Sequence, residues 1–229
     1  MIEKKESPQA VRNRIVGAMV AACLLMGVVD AVVRPGYLIK SLLKLALFLL
    51  LPWLVYYRNK PDSWKPLFAW KRTGIAPLLL GVCVYGGILG LYFAIGRFFD
   101  FSMVTGALKG DLGIDAKNFL AVSLYISFVN SLLEEFFFRG FGFLTLKSYA
   151  SRRFSYLCSA GLFALYHVAM LVGWFRLDLL TLLIGLLVAA GVVLESFNEK
   201  SGTLWFSWFI HMFANFSINT IGFFLFGII

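Results

Sequence analysis

Charge is scarce in this chain, and that scarcity excludes a soluble globular protein. Asp, Glu, Lys and Arg make up 14% of its 229 residues, against about a quarter in an ordinary soluble domain. Histidine is rarer still, with two residues and no H-E-x-x-H pair, which excludes the helical signature of a zinc protease. The three cysteines, Cys23, Cys83 and Cys158, lie far apart inside apolar segments. That spacing excludes a disulfide framework and a C-x-x-C site and leaves them as small buried apolar residues. Acidic residues number 12 against 21 Lys and Arg, for a net charge of +9. Here the cations cluster in loops, where they fix topology, so no nucleic-acid partner is expected. No cleavable leader, soluble domain, internal repeat or low-complexity segment is evident.

What the chain has in abundance is apolar sequence: 60% hydrophobic residues, 24 of the 229 being Phe, and a mean hydropathy of +0.84. At about 20 residues per span, these runs predict an all-α fold, a polytopic transmembrane helical bundle of seven or eight spans. It is read as one integral-membrane domain over residues 1–229. The expected spans are residues 14–33, 39–57, 75–98, one starting near 118, 154–172, 178–197 and an apolar region 203–229. The last is long enough for one tilted span or for a span broken near 215–219. Asp30 and Arg34 read as an interfacial i,i+4 pair. The basic, aromatic stretch 58–72 reads as a loop lying on anionic headgroups, and 100–117 as a loop with turn glycines. With the N-terminus inside, thirteen Lys and Arg fall on inner segments and seven on outer ones, the latter including Arg34, Lys40 and Lys44. The positive-inside rule then predicts a multi-pass protein of the cell membrane with a cytoplasmic N-terminus.

Against this background the run from Asn130 to Gly140 stands out, because Glu134, Glu135 and Arg139 fall inside a predicted span. Ionisable groups at that depth are costly and by default functional. Glu135 and Arg139 are spaced i,i+4 with the acid first, the favourable order for a pair. Helical geometry turns Glu134 about 100° away, leaving it as the free carboxylate and candidate general base. Asn130, Ser127 and Ser123 continue its side as a polar seam. His167 and His211 both fall inside spans, about 20 and 12 Å from the inner surface at 1.5 Å per residue. Glu134 meets them in the inner, cytoplasmic half of the bilayer. His211 and Asn215 share a helical face with Ser207 and Asn219, and two adjacent donors suit a developing oxyanion. Glu195, beside Asn198, Glu199 and Lys200, reads as interfacial.

Taken together, Glu134-Glu135-x-x-x-Arg139, Phe163-x-x-x-His167 and His211-x-x-x-Asn215 resemble the CAAX protease and bacteriocin-processing (Abi) family of intramembrane endopeptidases, of the type II CAAX prenyl endopeptidase kind. Phe138-Arg139-Gly140 and Ser201-Gly202-Thr203-Leu204-Trp205 are similar to bacterial members, and the motif-bearing core is about residues 118–220. The resemblance implies that Glu134 with His167 activates a water, that His211 and Asn215 hold the carbonyl oxygen, and that Glu135 with Arg139 supports the helix. The substrate would be a peptide or a prenylated or otherwise membrane-tethered protein, and the bilayer the other partner. In bacterial members, leader peptides, signalling peptides or bacteriocins fit. The family has been read both as glutamate-dependent without metal and as metal-dependent. Glu134, His167 and His211 could in principle ligate zinc, but the spare Asn favours a reaction with no cofactor. Two other classes stay open: a non-catalytic scaffold or bacteriocin self-immunity protein binding a peptide or partner, and a proton-coupled transporter using the same Glu and His as a relay.

Overall fold

The computed structural model of the chain describes residues 6–70, 74–110 and 112–229. Glu3, Lys4 and Lys5 of the charged start, and Lys71 and Arg72 of the basic loop, lie outside the described residues. Among those described, seven helices are long and apolar enough to cross a membrane: Pro8–Val33, Tyr37–Asn59, Ala76–Phe98, Phe119–Ser148, Arg152–Leu171, Leu177–Ser201 and Trp205–Leu225. They are called spans one to seven below. The last runs without a break through Asn215 and Asn219, which resolves seven against eight. No strand occurs among the described residues.

Local chemistry sets the helix ends. Ser7 caps span one by accepting from Ala10 N–H, with Pro8 at the first helical position, where its missing N–H costs nothing. Ser151 caps span five in the same way. Gly202 closes span six at φ 70°, a left-handed conformation that glycine adopts without steric penalty. Two connections differ from their expected form. Residues 100–117 contain a helix, Ser102–Gly110. The 58–72 loop does more than rest on headgroups: Leu67 is buried, its carbonyl accepts from Leu204 N–H at 2.9 Å, and Phe68 O accepts from Trp205 Nε1 at 3.0 Å. The loop thus tucks against the start of span seven.

Span four is the axis of the bundle. Every residue from Glu135 to Thr145 except Leu144 is buried, the pattern of a helix enclosed on all sides. It packs on spans one, two, five, six and seven. Its phenylalanines build the core: Phe137 stacks on Phe48 of span two at 4.1 Å, and Phe138 meets Phe163 of span five edge-on at 5.3 Å. At the end bearing Ser148, Glu199 of span six accepts from Lys147, Arg152 and Tyr156 and ties three spans together.

Spans five and six come into close contact at Gly191. A Cβ there would sit 3.0 Å from Ala160 Cβ, 3.1 Å from Ala160 Cα and 3.6 Å from Arg139 Nη2. Small residues permit such backbone contact between membrane helices. Gly191→Val is therefore expected to force the two spans apart at a cost of about 1–3 kcal/mol, measurable as a lower Tm of the detergent-solubilised protein.

Candidate active site

The two acids sit where span four changes its winding. Ser131–Glu134 is α-helical, whereas Tyr125–Asn130 before it and Glu135–Thr145 after it are π-helical. Such wide turns are rare and concentrate at functional sites. Regular α-helical geometry set Glu134 and Glu135 on different faces, unable to reach one spot. The structure corrects this, because a single ring lies between them. His211 Nδ1 is 2.9 Å from Glu135 Oε1, and its Nε2 is 3.7 Å from Glu134 Oε2. With Nδ1–H donating to Glu135, the opposite nitrogen faces Glu134.

Glu134 is not free either. Lys44 Nζ of span two donates to its Oε1 at 2.7 Å and to Asn130 Oδ1 at 2.6 Å, and Asn130 Nδ2 donates to the same Oε1 at 3.1 Å. The rings of Tyr166 and Phe48 flank the ammonium at 5.0 and 5.6 Å. Lys44 is 6% exposed and Glu134 3%, so this is a buried pair, not a headgroup contact. One turn earlier, Lys40 Nζ lies 2.7 Å from Asp30 Oδ1. Asp30, expected at the interface beside Arg34, has a side chain only 2% exposed. Sequence reasoning placed Lys40 and Lys44 among outer topology cations and missed both. The signal was present: two lysines at i,i+4 inside an apolar span obey the same rule that singled out Glu134.

His167 Nδ1 is 2.7 Å from Phe163 O. A carbonyl only accepts, so Nδ1 carries a proton and Nε2 is the nitrogen turned away from Phe163 O. The ring is an electrostatic neighbour of Glu134. Phe163 also offers its ring face to Arg139, whose guanidinium carbon lies 4.0 Å above it, and its ring edge is near His211 at 6.1 Å. The F-x-x-x-H spacing therefore puts an acceptor for His167 and a ring face for Arg139 on one residue.

Arg139 Nη1 lies 3.4 Å from Glu135 Oε1, both side chains being fully buried. This is an ion pair by distance, and none of the arginine nitrogens has an aligned hydrogen bond among the described residues. Glu195 of span six, read as interfacial, is fully buried and an electrostatic neighbour of the same arginine. The error lay in using its charged sequence neighbours. Glu199 does sit at the helix end, but Glu195 is one turn deeper and on the inward face.

The polar seam joins spans four and seven. Asn219 Nδ2 donates to Ser123 O and Ser127 Oγ at 3.1 and 3.0 Å, and Trp208 Nε1 donates to Ser131 Oγ at 3.0 Å. Asn215 Nδ2 donates to Ile126 O at 3.3 Å. Ser207 turns instead to span six, accepting from Asn198 Nδ2 at 2.7 Å. Beside this seam a cavity of about 330 Å³ opens between spans three, four and seven, lined by Tyr85, Ser123, Phe213, Asn219 and Phe223 among others.

Among the described residues no three His, Cys, Asp or Glu side chains are grouped to hold a metal ion. Glu134 Oε1 is already held by an ammonium. The donor set therefore fits zinc poorly.

No curated protein and no solved structure matched the chain. Residues 116–217 match the family model described as Type II CAAX prenyl endopeptidase Rce1-like. The match takes in Glu134, Glu135, Arg139, both histidines and Asn215, and leaves spans one to three outside. The stretch that builds the site, from just before span four to the polar seam of span seven, is thus the part of the chain that is similar to the Rce1-like type II CAAX prenyl endopeptidase model.

Proposed function

We propose that the chain is an intramembrane endopeptidase in which Glu134 and His167 activate a water and His211 and Asn215 stabilise the oxyanion. The observation that carries this reading is the convergence of Glu134 Oε2 and His211 Nε2, 3.7 Å apart, in a site walled by five helices. Glu134 takes a proton from the water as its oxygen bonds to the scissile carbonyl carbon. The resulting oxyanion faces the His211 and Asn215 donors, with Glu135 supplying the counter-charge to the His211 ring. The proton then passes to the leaving amide nitrogen, the C–N bond breaks, and Glu134 is again a carboxylate. His167, fixed as the Nδ1–H tautomer by Phe163 O, presents Nε2 to the same water as a hydrogen-bond acceptor. No step calls for a metal.

Substrates of this family are membrane-associated peptides or proteins. For this chain the cavity between spans three, four and seven is a lateral route, since Asn219 on its wall is one turn from Asn215. A tethered leader or signalling peptide sliding in from the bilayer would meet the polar seam before the carboxylate. Burial of Lys40 and Lys44 removes two cations from the outer tally, leaving thirteen against five and strengthening the N-inside orientation.

The purified protein, incubated with a library of membrane-anchored peptides, is expected to yield two fragments of one internal bond by mass spectrometry. Chelators are expected to leave the rate unchanged. Loss of cleavage on chelation, with recovery on adding zinc, would replace the metal-free mechanism by a metal-dependent one. Absence of any cleavage, with the biological effect intact, would favour a scaffold.

A further inference from the structure

We propose that Lys44, outside the matched segment and in a span with no recognised motif, is the positioning residue of the site. With Asn130 it fixes Glu134 through Oε1, so that Oε2 alone is left for the water. The inference rests on the peptidase reading above and deepens it.

Three observations carry it. First, the two carboxylate oxygens have separate surroundings. Oε1 accepts from Lys44 Nζ at 2.7 Å and Asn130 Nδ2 at 3.1 Å, whereas Oε2 faces His211 Nε2. Second, Lys44, Asn130 and Glu134 form a closed triangle, because the ammonium also donates to Asn130 Oδ1 at 2.6 Å. A side chain held by one contact can swing, but one held at the vertex of a triangle cannot turn without breaking two bonds. Third, the ammonium is caged by the rings of Tyr166 and Phe48, and a cation so desolvated gains more from both the rings and the carboxylate. Facing the pair are Tyr37 and Lys40 from span two, Asp30 from span one, Tyr166 and His167 from span five, and His211 from span seven.

The chemical consequence is a general base with one working oxygen. Lys44 keeps its proton throughout and forms no bond to substrate. It keeps the carboxylate from rotating toward His211, and it leaves the proton-accepting lone pair in the place where the attacking water must sit. Positioning of this kind acts on the chemical step and not on substrate binding.

The test combines kinetics and stability on the full chain. Lys44→Met is expected to lower kcat by about 10²-fold, the low end of what a placed general base contributes, with KM unchanged. Lys44→Arg, which keeps the charge and its donors, is expected to retain more activity than Lys44→Met. In a thermal double-mutant cycle, Lys44→Met and Glu134→Met, the latter removing both carboxylate oxygens, each lower Tm, and the double variant falls by less than their sum. A kcat close to wild type, a loss confined to KM, or Lys44→Arg no more active than Lys44→Met would overturn the proposal. If Lys44→Met does not fold, Lys44→Gln takes its place in both arms. If the wild type cleaves no peptide, the peptidase reading fails, and the cycle alone decides whether Lys44 holds Glu134. Additive Tm changes would then overturn that as well.

Discussion

Glu134→Gln is expected to remove peptide cleavage while leaving a folded protein, with kcat lower by about 10³-fold, inside the range for loss of a positioned general base. The substitution is isosteric. Gln keeps a carbonyl oxygen that can still accept from Lys44 and Asn130, the contacts that occupy Oε1. It cannot take a proton from water, and its amide would place a donor where the carboxylate offered Oε2 to the His211 side. The loss should therefore fall on kcat, with KM little changed, because the interaction removed is made only as the water attacks. Single-turnover cleavage of a membrane-anchored peptide, with Tm as the folding control, gives both readings. Cleavage surviving at more than a few per cent would move the base to another residue.

Arg139→Met is expected to damage the fold itself, at a cost of about 3–5 kcal/mol, the range for removing one partner of a buried pair. Arg139 and Glu135 are both fully buried. Glu195, also fully buried, faces the same arginine from span six and has no hydrogen-bonded oxygen among the described residues. One cation thus pairs with Glu135 and neighbours the Glu195 carboxyl group in the middle of the bundle. Its loss also takes the guanidinium from the ring of Phe163, whose carbonyl orients His167. The expected readout is poor recovery of monodisperse protein and a large drop in Tm. Adding Glu135→Gln should restore part of both, since it removes the carboxylate left without its ion-pair partner. If the double variant is no better than the single, the cost of losing Arg139 does not lie in the Glu135 charge.

Several features of the site were legible before any coordinates, for a physical reason. A charged group inside an apolar span is so costly that its presence is informative alone. Glu134, Glu135, Arg139, His167 and His211 were found on that basis, and the structure brings Glu134, Glu135, Arg139 and His211 into direct contact. The same criterion applied to Lys40 and Lys44 would have found them. They were counted instead among the outer cations of the positive-inside tally. Glu195 was misplaced too, since proximity in sequence to Glu199 and Lys200 says nothing of which helix face it occupies.

By itself the sequence determined the class: an all-α bundle of seven or eight apolar spans, the order of three motifs along them and the resemblance of the segment they occupy to a family model. Those depend on hydropathy and spacing, which are properties of the chain read in one dimension. Tertiary structure decided the partnerships. That one imidazole lies between two adjacent acids depends on the packing of span seven against span four. That Glu134 is held by a lysine ninety positions away depends on the packing of span two against span four. Contacts between spans leave no periodic trace in either one, so no reading of a single helix could have supplied them.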